Sequence, residues 1–188
     1  FIAEHIDAFP GVTTQMRTTR SYPYGALAAH LLGYTGTASE EDLSNASEGQ
    51  DIESGDAVGK SGVEQTYNSV LSGDHGQRVL ITDASGTVQQ VVSETAPSKG
   101  SDVYLTVSAK VQHIADLALK DLIDNKKGTA ASLVCMDVET GGIVALSNYP
   151  TYEPEHFIGG ISQEVWDEYQ TEESHYPLMN RAIAGTYP

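Results

Sequence analysis

Gly59-Lys60-Ser61 is the first place in this sequence to look for chemistry. A glycine-rich loop ending in Lys-Ser can wrap a phosphate in backbone N–H groups and set the lysine against its outer oxygens. That pattern requires a glycine five residues before the Gly-Lys pair, and position 54 is Ser. No apolar strand precedes the run, and the residues around it are acidic, so nucleotide binding is not expected. Ser61 has no assignable base, and no Gly-x-Ser-x-Gly elbow occurs in the chain. Helix capping explains Ser61 better, with Glu64 three residues on in the capping-box position.

The six histidines are His5, His30, His75, His113, His156 and His175. None pairs at the i, i+4 spacing of a zinc helix and no cysteine cluster supplements them, so they read as surface or structural. The single Cys135 excludes an internal disulfide. Within Ala131-Ser-Leu-Val-Cys-Met it reads as a small buried hydrophobe in a strand, and it decides no redox compartment. Residues 39–56 hold Glu40, Glu41, Asp42, Glu48, Asp51, Glu53 and Asp56, with no Lys or Arg between Arg20 and Lys60. The regular oxygen spacing of a calcium loop is missing, so this stretch reads as a solvated loop or short exposed helix. Asn45-Ala46-Ser47 fits a glycosylation acceptor, a triplet common by chance, and is set aside.

Composition narrows the classes further. The chain has 188 residues, with 10 Lys+Arg against 26 Asp+Glu, a formal charge of −16. A surface this acidic repels phosphate, which argues against nucleic acid and anionic membrane as partners. Hydrophobic residues at 39% suit a globular chain of one large domain or two small ones. The longest apolar stretch, Ala130 to Met136, is far short of the roughly 18–20 residues that span a bilayer. Phe1 is neither an initiator Met nor the start of a signal peptide, so any export signal or anchor is expected upstream.

The elements that would position these residues follow from pattern. Pro10-Gly11 marks a turn. Tyr24 to Leu32 reads as a helix stopped by Gly33, and Ser61 to Leu71 as a second, with Val63, Tyr67, Val70 and Leu71 on one face. Gln77–Thr82 and Val88–Val92 read as strands joined through Asp83-Ala84-Ser85-Gly86, and 94–101 as a linker. Val103–Val107 reads as a strand. Ser108 can cap a helix from Ala109 to about Asn125, with Val111, Ile114, Ala115, Ala118, Leu119, Leu122 and Ile123 as its apolar stripe and Lys126-Lys127-Gly128 as its stop. Ala130–Asp137 and Ile143–Ser147 read as a hairpin turning at Glu139-Thr140-Gly141-Gly142, and Ser162–Tyr169 as a short helix. The class is α+β.

Two long patterns carry a resemblance. One is Arg20-Ser-Tyr22-Pro23-Tyr-Gly25-Ala-Leu-Ala-Ala-His30-Leu-Leu-Gly33-Tyr-Thr-Gly36. The other is Val58-Gly59-Lys-Ser-Gly62-Val-Glu64-Gln-Thr-Tyr67-Asn-Ser-Val-Leu71-Ser-Gly73-Asp-His-Gly76. In order and spacing they resemble the N-terminal, non-catalytic module of class B penicillin-binding proteins, the peptidoglycan D,D-transpeptidases. Leu105-Thr-Val107 with Val111-Gln112, Met136 to Pro150, Asn180-Arg181-Ala182-Ile183 and Tyr187-Pro188 resemble the opening of that family's transpeptidase domain. Ser108 stands where the family usually has Asp, and both types cap helices.

The resemblance implies a pedestal-like module over 1–97 and an incomplete transpeptidase domain over 98–188. It implies a membrane-anchored, extracytoplasmic parent acting on peptidoglycan stem peptides in cell shape or division, trapped by β-lactams, with no metal or organic cofactor. The family's Ser-x-x-Lys, Ser-x-Asn and Lys-Thr-Gly motifs are not in this sequence, so no catalytic residue is assigned and the chain alone is expected to be inactive. The alternative is a binding and positioning module that contacts a glycan polymerase. A free-standing acidic binding protein unrelated to cell walls is a further alternative. Arg20 and Glu64, lone charges in the two patterns, are expected to form a partly buried ion pair tying them together. The glycines are expected to set turns or close approaches. Residues 159–187 are expected to be mobile.

Overall fold

The most regular apolar spacing in the chain makes its longest helix, residues 109–124. The computed structural model describes residues 2, 4–5, 12, 18–46, 51–84, 88–125 and 128–186. In chain order its elements are α1 (Ala29–Leu32), β1 (Thr35–Thr37), α2 (Glu40–Ser44), β2 (Ala57–Gly59), α3 (Gly62–Thr66), α4 (Asn68–Leu71), β3 (Gln77–Thr82), β4 (Val88–Thr95), α5 (Ala109–Asp124), β5 (Ala131–Met136), β6 (Ile143–Tyr149), a 3-10 turn (Pro154–Phe157), α6 (Gln163–Tyr169) and α7 (Arg181–Ala184). The turn at Pro10-Gly11, the tip at Ser85-Gly86, the lysines 126 and 127, Ser47, Glu48 and the terminal Tyr187-Pro188 lie outside the described residues.

The architecture is α+β, built on three antiparallel strand pairs, β1–β2, β3–β4 and β5–β6. β1 pairs with β2 in the register Thr35↔Gly59 and Thr37↔Ala57, which joins the ends of the two family patterns. β5 and β6 pair Leu133 with Ser147 and Cys135 with Ala145, with a bulge after Cys135. Their turn is pinned by Asp137, whose carboxylate accepts from the Glu139 amide at 2.9 Å and the Thr140 hydroxyl at 2.8 Å. α5 lies on β6 through Gln112, Ala115 and Leu119, spaced i, i+3 and i+7.

The core is aromatic and draws on both halves of the sequence. Ala29, Tyr152, Phe157 and Tyr169 are buried together, with Tyr34, Ile161, Val165 and Leu178 packed around them. Tyr34 stacks on Phe157 with ring centroids 3.7 Å apart, and Tyr152 meets Phe157 edge-on at 5.8 Å. Such ring pairs contribute about 0.5–1.5 kcal/mol each beyond their buried area.

Several expectations are corrected. Residues 23–28 form turns, and only Ala29–Leu32 is helical, because Gly25 and Ala28 both sit at φ 55. Gly33 does stop that helix, with its N–H on the Ala29 carbonyl at 2.7 Å. The expected helix from Ser61 to Leu71 breaks at Tyr67 into α3 and α4, and Tyr67 and Val70 are exposed. Ser61 precedes α3 without a side-chain cap bond, and Glu64 bonds Arg20 rather than closing a capping box. Val103–Val107 is not a strand: it meets β6 through the Thr106 hydroxyl on Ile143 and the Ser108 amide on Val144, too few bonds for a ladder. The expected linker over 94–101 begins inside β4, and Ser98 then bridges back to Asp74. The apolar stripe of α5 is only half covered, with Ile114 58% exposed, because a two-stranded sheet is narrower than the stripe. Cys135 is half-buried rather than buried, for the same reason. Residues 159–186 carry α6 and α7 and contribute Tyr169 and Leu178 to the core.

Candidate functional site

The residues that carry the two family patterns meet at one joint. Arg20 Nη2 donates to Glu64 Oε2 at 2.8 Å, with the arginine side chain 36% exposed and the glutamate 12%. Beside them Tyr22 is buried, its hydroxyl accepting from the Thr35 amide at 3.1 Å. Burial first, and the Glu64 charge second, push the Tyr22 hydroxyl above its ordinary pKa. Gly33 and Gly62 bring the patterns into backbone contact. A Cβ on Gly33 would stand 1.9 Å from the Ser61 carbonyl oxygen, and one on Gly62 2.5 Å from that of Leu31. Both glycines have positive φ, 80° and 59°, which a side chain resists as well. Gly59 lies against the Glu64 backbone, and its amide donates to Asn68 Oδ1 at 2.9 Å.

The remaining pattern residues lie around this joint. Gly25 sits beside the Glu153 carboxylate, and Pro23 lines a groove of about 410 Å³ with Tyr24, Leu27, Tyr104 and Leu105. Gly73 and Gly76 lie on the other side, against Ser98 and Pro97. Tyr67 is exposed and Leu71 half-buried, so these two stand outside the joint. Lys60 faces Asp42, with no arrangement for phosphate. Asp42 also closes a capping box with Ser39, and the Lys60 and Ser39 bonds hold its carboxyl down at about 2. Asp56 accepts from the Glu53 amide and faces His75 at 2.8 Å, which raises His75. Asp42 and Asp56 of the acidic run are thus engaged by the chain's own groups.

His30 is the residue by which the joint reaches the far end of the chain. It is buried, edge-on to Tyr152 at 5.0 Å, and its Nε2 lies 2.7 Å from the Pro177 carbonyl oxygen. A carbonyl only accepts, so Nε2 carries the proton. Burial, with Arg181 nearby, lowers its pKa to about 4. The His30 carbonyl accepts from Asn180 Nδ2 at 3.2 Å. Asn180 Oδ1 accepts from Asn148 Nδ2 at 3.1 Å, and Asn148 Oδ1 accepts from the Ala182 amide at 2.9 Å. Tyr152 adds a hydroxyl donated to the Ala29 carbonyl at 3.0 Å.

The sequence reading missed Asn148, Tyr152, Asn180 and Gln112 as organising residues. Gln112 carried a readable signal, a polar residue on the same helix face as Ala115 and Leu119. Its amide accepts from the Leu146 N–H and donates to the Leu146 carbonyl, both at 2.9 Å. Among the described residues no group of three or more His, Cys, Asp or Glu could hold a metal ion, and no helix is long and apolar enough to cross a membrane. The site as a whole joins and positions segments.

The chain is similar to known proteins. The family described as penicillin-binding protein dimerisation domain matches residues 1–105. The chain is 33% identical over 183 residues to the peptidoglycan D,D-transpeptidase MrdA of Escherichia coli (strain K12), covering 96% of the chain and 28% of that protein. It is 31% identical over 156 residues to penicillin-binding protein 3 of Bacillus subtilis (strain 168), covering 83% of the chain and 22% of that protein. Among solved structures it superimposes, with a TM-score of 0.69 and 36% identity, on a complex between the penicillin-binding protein PBP2 and MreC from Helicobacter pylori, over 87% of the chain and 29% of that one.

Proposed function

As the chain belongs to the penicillin-binding protein family and carries its dimerisation domain, we propose that it is the pedestal and opening segment of a peptidoglycan D,D-transpeptidase. The pedestal corresponds to 1–97 and the start of the transpeptidase domain to 98–188. The observation that carries this reading is the shared core, in which Ala29 of the first part packs with Tyr152, Phe157 and Tyr169 of the second. A pedestal that shares a core with the catalytic domain fixes where that domain starts.

The chemistry of the reading belongs to the parent protein. A downstream serine attacks the D-Ala-D-Ala end of a stem peptide and releases the terminal D-Ala. An amine from a neighbouring strand then resolves the acyl-enzyme into a cross-link. β-lactams acylate the same serine. The parent is held at the extracytoplasmic face by an anchor upstream. What this chain's residues supply is positioning, through the Arg20–Glu64 pair, the Gly33–Gly62 contact and the His30 bonds. A second role is contact with a cell-wall partner such as a glycan polymerase. The groove edged by the exposed Tyr24 and Tyr104 favours it, as does the solved complex of the Helicobacter pylori relative with MreC.

The test is intact mass after incubation with a penicillin. One acyl adduct on the full-length protein and none on residues 1–188 is the expected result. An unmodified full-length protein that is folded by circular dichroism would overturn the transpeptidase reading.

A further inference from the structure

We propose that His30, Asn180 and Asn148 are positioning residues that lock α7 onto the pedestal and so fix the approach to the downstream nucleophile. The inference rests on the transpeptidase reading and deepens it, by naming which residues of this chain set the geometry of that site.

Three observations carry it. First, α7 is four residues long and has no side-chain cap of its own from Asn180. A helix this short does not hold itself in water. Its Ala182 amide is capped from β6 by Asn148, and Asn180, the residue that begins α7, is held by the α1 backbone at His30. Position is therefore supplied from two other elements. Second, the loop before α7 is strained. His175 and Tyr176 are consecutive non-glycine residues at φ 55° and 52°. Left-handed backbone at non-glycine residues persists only where surroundings over-determine it, and such strain concentrates at functional sites. Here the loop is tied on both sides: Arg181 donates to the His175 carbonyl and His30 to the Pro177 carbonyl. Third, the anchor is buried and polar. His30 and Asn148 are 8% and 5% exposed, and Arg181 6%. Apolar packing alone would hold the loop without fixing its direction. A chain of directed hydrogen bonds specifies one orientation.

The groups facing His30 are the Pro177 carbonyl, the edge of Tyr152 and the Arg181 charge. None of them gains or loses a proton near neutral pH, so the tie is a fixed one. By the family resemblance, Asn180–Ile183 lead directly towards the acylated serine. A displacement of about 1 Å in a reacting group lowers a rate by up to roughly a hundredfold.

The experiment compares acylation by a fluorescent penicillin in the full-length protein as wild type, His30→Phe, His30→Gln and Asn180→Ala. His30→Phe keeps the ring against Tyr152 and removes the donor, and His30→Gln restores a donor. Asn180→Ala leaves the core untouched, so it reports even if a His30 variant fails to fold. Initial penicillin affinity is read apart from the acylation rate constant, and thermal melting is read in parallel. The expected result is an acylation rate constant lowered about tenfold in His30→Phe and Asn180→Ala, with affinity nearly unchanged and with His30→Gln recovering most of the loss. Folded Asn180→Ala acylating within twofold of wild type would overturn the proposal while leaving the transpeptidase reading standing. A folded wild type that is not acylated at all would overturn both.

Discussion

Gly33 and Gly62 each combine two constraints that bar a side chain. Each needs positive φ and each faces a carbonyl closer than any Cβ contact allows. An alanine at either position should cost about 2–4 kcal/mol, the left-handed strain plus the displaced backbone. Gly141 is the internal control: its φ is 73° but nothing lies within 4 Å of its added Cβ. There alanine should cost only about 1 kcal/mol. Urea unfolding of the three variants checks this, and equal losses at Gly33 and Gly141 would refute the close-approach argument. Arg20 and Glu64 invite a second test. Their pairing was legible as two lone charges in two patterns, but its strength depends on burial. With the arginine 36% exposed, the pair falls between a surface bridge and a buried one. Arg20→Ala should lose about 1–2 kcal/mol, less than the 3–5 expected of a fully buried pair. A double-mutant cycle with Glu64→Gln reads the coupling directly.

At the scale of elements, the legible parts were those whose pattern is local. α5, the β5–β6 hairpin and α6 follow from spacing and turn chemistry within a few residues. What the sequence hid was tertiary. The run 24–32 has helical leucine spacing, yet the backbone turns at Gly25 and Ala28 so that Tyr22 and His30 can both point inward. The polar residues that hold the site, Asn148 and Asn180, are 32 positions apart and have no shared periodicity. Gln112 shows how such a residue works. It is fully buried and presents its amide to both backbone groups of Leu146, as a neighbouring strand would. Gln112→Leu keeps the volume and orphans two buried backbone groups, at about 1–3 kcal/mol each. The expected loss is about 3 kcal/mol, with faster amide exchange along β6. The β3–β4 hairpin gives the opposite case. Every described residue of both strands is exposed, and an isolated two-stranded hairpin is marginal in water. Val92→Ser should shift stability by less than about 0.5 kcal/mol, and these strands should exchange before β5 and β6.

For the molecule as a whole, the core draws on both halves of the sequence, and one buried imidazole packed against its Tyr152 couples stability to pH. His30 has a folded pKa of about 4 against an ordinary 6.5, because burial and the Arg181 charge disfavour its protonated form. Between those values the unfolded chain binds the proton and the folded chain does not, so the proton favours unfolding. The contribution is complete above pH 6.5 and falls as the pH drops towards 4. By pH 5, before most carboxylates titrate, about 2 kcal/mol should be gone. His75 has the reverse sign, since its pairing with Asp56 raises its pKa. Its stabilisation is present below 6.5 and lost as the pH rises through the raised value, but the side chain is 40% exposed and solvent screens it. Urea midpoints at pH 7.5, 6 and 5 separate the two. Wild type should weaken into acid, and His30→Phe, less stable at pH 7.5, should run nearly flat over that range. A wild-type slope that survives in His30→Phe would place the acid sensitivity elsewhere.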